Sequence, residues 1–299
     1  MKQLPSLKQL EYLTALADTQ HFTRAAESCN VTPSTLSAGI RDLEEILGVA
    51  VAERTKRTVI MTPIGQAISE RAHRLLCDAE DLVALAAAEH GPLTGNISLG
   101  AIPTISPFML PGVFTALAEQ YPSLELYLRE EQTEVLLGRL RSGEIDTALI
   151  ALPYETDQLV VRTLFEDEFL FACSAAHPLA DSPHVTNEHL RKQPLMLLEE
   201  GHCLRDHAID ACRLTRSPMR VQFEATSLQT LVQMVASGIG VTLLPAMAAQ
   251  TAISYDDKIR LIPLQSPASR EIGLVWRQSS PRAGDLEILA DLFRESGLH

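Results

Sequence analysis

The sequence predicts an α/β fold in three parts: a small helical head carrying a β-hairpin, one long helix, and a body of alternating strands and helices. Three observations predict it. Short helices, one of them proline-started with separate apolar and polar faces, and a hairpin fill the first 62 residues. A stripe of small and large apolar residues then steps by 4, 3, 4, 3, 4 through Ile68, Ala72, Leu75, Ala79, Leu82 and Ala86. From residue 96 onward, strand-like and helix-like segments alternate.

In the head, Ser6 followed by Gln9 has the spacing of a capping box, and Leu7, Leu10, Leu13 and Ala17 recur at helical spacing, which predicts a helix over about 6–19. A second, short helix starts at Thr23 through "RAAES", and "CNV" breaks it. Thr32-Pro33 reads as an N-cap followed by proline at the first helical position. In the helix that follows, Leu36, Ile40, Leu43 and Leu47 form a core face. Ser34, Ser37, Ala38 and Arg41 form a small polar face with one guanidinium, which suits close approach to a DNA major groove as well as it suits plain solvent. "VAERT" and "TVIMT" are strands of a hairpin with "KR" at its turn. Two helices, a tight turn and a hairpin make a winged helix-turn-helix, with Arg54, Lys56 and Arg57 placed for phosphate or minor-groove contact. Residues 1–64 balance seven Lys/Arg against seven Asp/Glu, so the rest of the chain carries the whole net charge of −13. That distribution excludes a nucleic-acid coat protein but not a small DNA-binding head on an acidic body.

Residues 6–65 resemble the DNA-binding domain of LysR-type transcriptional regulators, through "FTRAAE", "VTPSTLSAGIRDLEEILG" and "ERTKRTVIMTPIG". The resemblance implies a recognition helix at 33–46, with Thr32, Ser34, Thr35, Ser37 and Arg41 nearest bases or phosphates. Thr62-Pro63 starts the long helix, whose apolar seam and acidic back (Glu70, Asp78, Glu80, Asp81) call for a partner helix or for the chain's own core. The resemblance favours a dimer through this helix, and two-fold symmetry then implies double-stranded DNA with an interrupted palindrome. The domains so predicted are 1–62, 63–90 as linker, and 91–299 as regulatory domain, with subdomain I at about 91–166 plus 269–299 and subdomain II at about 167–268.

The body reads as parallel-sheet βαβ units: strands "NISLGAI", "LELYLRE" and "EIDTALIAL" with helices between, then strands "EFLFACSA", "PLMLLEE", "MRVQFEA", "GVTLLPA" and "EIGLVWRQ", with helices at "CLRDHAIDACRL", "SLQTLVQMVASG" and the end. Ligands of open α/β sheets sit beyond strand carboxyl ends, so "IPTIS", "EEQT" and "EEGHC" are expected to converge on a cleft between two subdomains. No apolar run reaches the ~18 residues of a membrane span. The first residues lack a signal-peptide h-region, which points to the cytoplasm, where structural disulfides are rare.

Cys203 and Cys212 lie nine residues apart in a segment that reads as helix. A helix separates their Cα atoms by roughly 13 Å, whereas a disulfide needs about 4.4–6.8 Å. A bond between them and an intact helix therefore exclude each other. Read from the residues, the pair serves redox chemistry, zinc binding with His207 and no evident fourth ligand, or inert packing. Cys203 stands at a helix start, with Arg205 and His207 adding positive charge and Asp206 opposing it. Thr104, Thr133 and His202, at strand ends, are donors of the kind that peroxide cleavage needs, or else helix caps and a structural histidine.

"GHCLRDHAIDAC", followed by "FEATSLQTLVQMVASGIGVTLLP", resembles the hydrogen-peroxide-sensing OxyR branch of the LysR family, as do "IPTISPFMLP" and "EEQTEVLLGRLRSGEIDTAL". The resemblance implies a periplasmic-binding-protein-like effector domain and a non-enzymatic transcription regulator. It implies that Cys203 is oxidised to a sulfenic acid and Cys212 resolves it as a disulfide. Thr104, Thr133, His202, Arg205, Asp206 and Arg270 fall at or beside the peroxide site. RNA polymerase and a thiol reductant such as glutaredoxin or thioredoxin are the implied partners, with a homodimer or homotetramer as the working form and no metal or cofactor. A LysR-type regulator binding a small organic effector, its cysteines silent, is the alternative.

Overall fold

The computed structural model describes residues 4–54, 59–87, 91–211, 224–249 and 258–297. The chain parts near residue 89 into two compact units.

The first unit is built on capped helices. Helix α1 (Leu7–Thr19) starts from the Ser6–Gln9 capping box, and α3 (Pro33–Leu47) from Thr32, whose hydroxyl accepts from the Thr35 amide at 3.2 Å. Between them, α2 (Phe22–Ser28) starts earlier than Thr23: the His21 side chain accepts from the Thr23 amide and is the cap. Leu36, Ile40 and Leu43 of α3 are buried with Leu10, Leu13 and Leu16 of α1, while Ser34, Thr35 and Arg41 are exposed. Strands β1 (Ala52–Arg54) and β2 (Val59–Met61) pair antiparallel. Lys56 and Arg57, and the side chain of Arg54, lie outside the described residues.

Helix α4 (Pro63–Ala87) starts where the Thr62 hydroxyl accepts from the Gly65 amide at 2.9 Å. A Cβ on Gly65 would overlap the Val51 carbonyl, so this close approach requires glycine. The apolar stripe divides: Ala72 is buried and Ile68 half-buried against the head's own core, while Leu75 and Leu82 are exposed at 47% and 70%. The first part of the stripe thus packs on the chain's own core, while Leu75 and Leu82 face outward.

The second unit is a mixed sheet, not the purely parallel one expected. Strand β3 (Gly95–Ala101) pairs parallel with β4 (Leu124–Glu130) and β5 (Thr147–Leu152). Helices α5 (Ser106–Gln120) and α6 (Thr133–Ser142) make the crossovers. Strand β6 (Leu159–Ser174) is 16 residues long, twice what "EFLFACSA" suggests. It runs antiparallel to β9 (Thr242–Pro245), β10 (Ile259–Pro263) and β11 (Ser269–Arg277), and β11 also pairs antiparallel with β5. Strand β10 and the short α7 (Asn187–Arg191) have no counterpart among the elements read from sequence.

Strands β7 (Leu197–Leu198) and β8 (Glu224–Ala225) form a small parallel pair feeding α8 (Cys203–Ala211). Helices α9 (Leu228–Ala236) and α10 (Ala283–Gly297) complete the set. Two apolar cores result, one under β3, β5 and β11 and one around β6, β7 and β9. The segments that follow β3, β4 and β7 come together around one small pocket.

Candidate functional site

Parallel pairing sets the end of β3 beside that of β4, with Ala101 opposite Glu130. The chain leaves β3 through Ile102, Pro103 and Thr104, and leaves β4 through Glu131 and Gln132 into Thr133, the first residue of α6. A third segment comes from β7. It turns through Glu199–His202, with Gly201 at φ +96°, and enters α8 at Cys203. A side chain at Gly201 would meet the Gln132 amide at 2.7 Å, so the turn closes directly over Gln132. The three segments enclose a pit of about 10 Å3 lined by Ile102, Pro103, Thr104, Gln132, Thr133, Gly201, His202 and Cys203. One water molecule needs about 10–15 Å3 by the same kind of measure.

The polar groups of the pit are buried, with Thr104 at 2%, Thr133 at 1%, His202 at 8% and Cys203 at 8% exposure. Neither threonine caps a helix. Helix α5 has Ile105 as its N-cap, with no side-chain bond. Among the described residues Thr133 Oγ1 has no hydrogen-bond partner. Thr104 Oγ1 accepts from Arg270 Nη1 at 2.9 Å. Burial lowers the basicity of His202, only partly opposed by Glu199, so the ring is neutral at pH 7.

Cys203 is a free thiol at the start of α8. Its side chain joins the first core, while Leu204, Ala208 and Ile209 of the same helix pack into the second. Cys203 therefore sits on the seam between the two cores. Arg205, Asp206 and Arg270 are not among the pit's lining residues. The Arg205 guanidinium donates to the Leu198 carbonyl at 3.2 Å and fastens α8 to the end of β7, and Asp206 is exposed. Arg270 reaches the pit through Thr104 alone. Burial holds the basicity of His207 down, partly opposed by the Pro153 carbonyl 3.1 Å from its Nε2, so the ring is a poor source of positive charge.

Sequence reasoning missed Gln132, which "EEQT" contains, and Asp167, which binds Arg270 across 103 residues of chain. Cys212 lies outside the described residues. Of the other described cysteines, Cys173 has its thiol pushed up to about 11 by burial, and burial also raises that of Cys29. Both stay protonated and poorly nucleophilic at neutral pH. Among the described residues no cluster of three or more His, Cys, Asp or Glu could hold a metal, and no helix is long and apolar enough to cross a membrane.

The two neutral histidines set a pH dependence. The unfolded chain takes up their protons near 6.5, the folded body only at lower pH. Below about 6.5 the folded state thus binds fewer protons, and stability falls with acidification. Thermal unfolding followed from about pH 7.5 to 5.5 should show a falling Tm, and His207→Gln should flatten the slope.

Two family profiles match the chain: "Bacterial regulatory helix-turn-helix protein, lysR family" over residues 7–66, and "LysR substrate binding domain" over residues 72–297. The chain belongs to the LysR family of transcriptional regulators. Like other members, this LysR regulator is a DNA-binding protein with a helix-turn-helix head and an α/β effector body. It is 39% identical over 289 residues to the DNA-binding transcriptional dual regulator OxyR of Escherichia coli K12, covering 97% of this chain and 95% of the relative. It is also 39% identical over 295 residues to the HTH-type transcriptional regulator EstR of Acinetobacter baylyi, covering 98% of each. Among solved structures, a cysteine-to-aspartate variant of full-length OxyR from Pseudomonas aeruginosa superposes with a TM-score of 0.81 at 36% identity, covering 98% of this chain and 95% of the other. A hydrogen-peroxide-bound cysteine-to-serine variant of Corynebacterium glutamicum OxyR superposes at 0.69 with 33% identity, covering 100% and 94%.

Proposed function

We propose that this LysR regulator senses hydrogen peroxide at Cys203 and answers by forming a disulfide with Cys212, changing transcription of oxidative-stress genes. The pit carries this reading. Two relatives of equal identity bear names of which only one is that of OxyR, so identity alone does not choose the effector. The size and chemistry of the pit favour a small oxidant. A pocket for an organic effector takes about 300–1,000 Å3, whereas this pit holds about 10 Å3 and contains a thiol, an unpartnered buried hydroxyl and a second hydroxyl already fixed by a guanidinium. That is a site for a guest of one or two oxygen atoms.

The chemistry balances within the site. The Cys203 thiol loses its proton and, as thiolate, attacks one peroxide oxygen; the S–O bond forms as the O–O bond breaks, and the departing hydroxide, stabilised by the threonine hydroxyls, takes up a proton in exchange and leaves as water. Cys203 is then a sulfenic acid. The Cys212 thiol displaces its hydroxyl as water and leaves the disulfide. Two thiols are oxidised and one peroxide is reduced. Glutaredoxin or thioredoxin returns the dithiol.

On this reading residues 1–62 bind an interrupted palindrome through Thr32, Ser34, Thr35, Ser37 and Arg41, with Arg54, Lys56 and Arg57 on the flanking backbone. Residues 63–90 pair two chains through the exposed Leu75 and Leu82. Residues 91–299 sense, as two subdomains of about 91–166 plus 269–299 and about 167–268. Oxidation at the seam repacks the second subdomain, alters the dimer or tetramer, and changes contact with RNA polymerase in the cytoplasm.

The test is non-reducing mass spectrometry of the full chain after a brief peroxide pulse. A peptide pair joined through Cys203 and Cys212 is expected. A transcriptional response to peroxide without that link would instead support an organic effector or another sensor.

A further inference from the structure

We infer that Asp167 is a positioning residue for the peroxide pit: through Arg270 it fixes the Thr104 hydroxyl as a hydrogen-bond donor toward the guest. This rests on the reading of the pit as a peroxide site.

The side chains of Asp167 and Arg270 are exposed at only 2% and 0%. Asp167 Oδ2 accepts from Arg270 Nε at 3.0 Å and from Nη2 at 2.9 Å, while Oδ1 accepts from the Met247 amide at 3.1 Å. The carboxylate is therefore held from two elements: by β11, which carries Arg270, and by the short 3-10 turn Ala246–Ala248. With its edge so clamped, the guanidinium plane has one orientation. Of its other donors, Nη1 reaches the Thr104 hydroxyl at 2.9 Å and Nη2 the Thr104 carbonyl at 3.0 Å, with Nη2 also 3.7 Å from Met247 Sδ.

Guanidinium has no acceptor. In the Arg270–Thr104 bond the hydroxyl oxygen must accept, so its own hydrogen is directed elsewhere. Among the described residues no protein acceptor takes it, and Thr104 lines the pit. Thr104 thus offers O–H to whatever occupies the pit, where an uncommitted hydroxyl could turn either way. Thr133, with no partner, keeps that freedom. One fixed donor and one adaptable hydroxyl suit a guest that is neutral on arrival and becomes hydroxide as the O–O bond breaks. Asp167 touches neither guest nor thiol. It acts two bonds away, by holding the arginine that holds the threonine.

The experiment measures Cys203 sulfenylation by hydrogen peroxide in the full chain, trapped with a 1,3-diketone probe, beside alkylation of the same thiol by iodoacetamide, which needs no O–O polarisation. Thr104→Val should slow sulfenylation about 100-fold, the lower range for loss of one preorganised donor. Asp167→Asn should slow it at least about tenfold and leave alkylation within about twofold, and it should add no more than about twofold in the Thr104→Val background. Additive losses, or equal losses of sulfenylation and alkylation, would overturn the inference. Should Asp167→Asn not fold, the charge-free pair Asp167→Asn with Arg270→Gln replaces it, and wild-type sulfenylation in that pair overturns the inference equally. If Thr104→Val itself leaves sulfenylation unchanged, the reading of the pit fails, an outcome distinct from failure of Asp167 alone.

Discussion

Cys203→Ser should reduce the peroxide response of a reporter gene to its unstimulated level, whereas Cys212→Ser should let Cys203 oxidise and leave it as a sulfenic acid. The difference follows from the two steps. Serine at 203 has no thiolate to attack the O–O bond, so nothing downstream occurs. Serine at 212 removes only the resolving nucleophile. Geometry makes the second step the one that moves the protein. Helix α8 is continuous from Cys203 to Ala211, which at about 1.5 Å per residue spans roughly 12 Å. A disulfide demands Cα atoms about 4.4–6.8 Å apart. Leu204 and Ile209, buried in the second core on this helix, must then shift, and exposing each costs about 1.5–3 kcal/mol. Hydrogen exchange across 203–211 should therefore rise on oxidation in the unmutated chain, stay low in Cys212→Ser, and stay low in Cys203→Ser. Equal protection before and after disulfide formation would contradict this account.

What could be read from sequence was local. The helix starts at Ser6, Thr32 and Thr62 were legible because a cap and its amide lie within three residues of each other. Strands β3, β4 and β5 were legible because turn residues bracket apolar runs. The first half of β6 was not: "LVVRTLFED" exposes consecutive residues, and its pairing to β11 is decided more than a hundred positions away. The stripe on α4 was visible, but not its division between the head's core and solvent, which depends on where α1 packs. In the site, "IPTIS", "EEQT" and "EEGHC" could be placed at strand ends, and the structure brings them to one pit. Charges misled more than spacing did. Arg205 and His207 sit beside Cys203 in sequence, yet one is turned to a carbonyl and the other is held neutral by burial. Asp167 carries no motif; only the fold brings it to Arg270.

That pair gives the second large effect. Arg270→Met should destabilise the body by about 3–5 kcal/mol, the usual cost of leaving one buried charge without its partner. Two of the carboxylate's contacts, at 3.0 and 2.9 Å, vanish, which among the described residues leaves it the Met247 amide. Urea unfolding of the full chain at neutral pH checks the magnitude. The companion variant separates stability from chemistry. Arg270→Met combined with Asp167→Leu removes both charges, and apolar replacements of buried ion pairs are often neutral or stabilising by about 1–4 kcal/mol. Most of the lost stability should return in that double variant. Peroxide reactivity should not, because the Thr104 hydroxyl is no longer held by a guanidinium and is free to turn its hydrogen away from the pit. A double variant that recovers stability and reactivity together would mean that the ion pair serves the fold alone. Recovered stability without reactivity would mean that a charge pair unnecessary for folding is kept at the seam between the two cores to set the polarity of one hydroxyl.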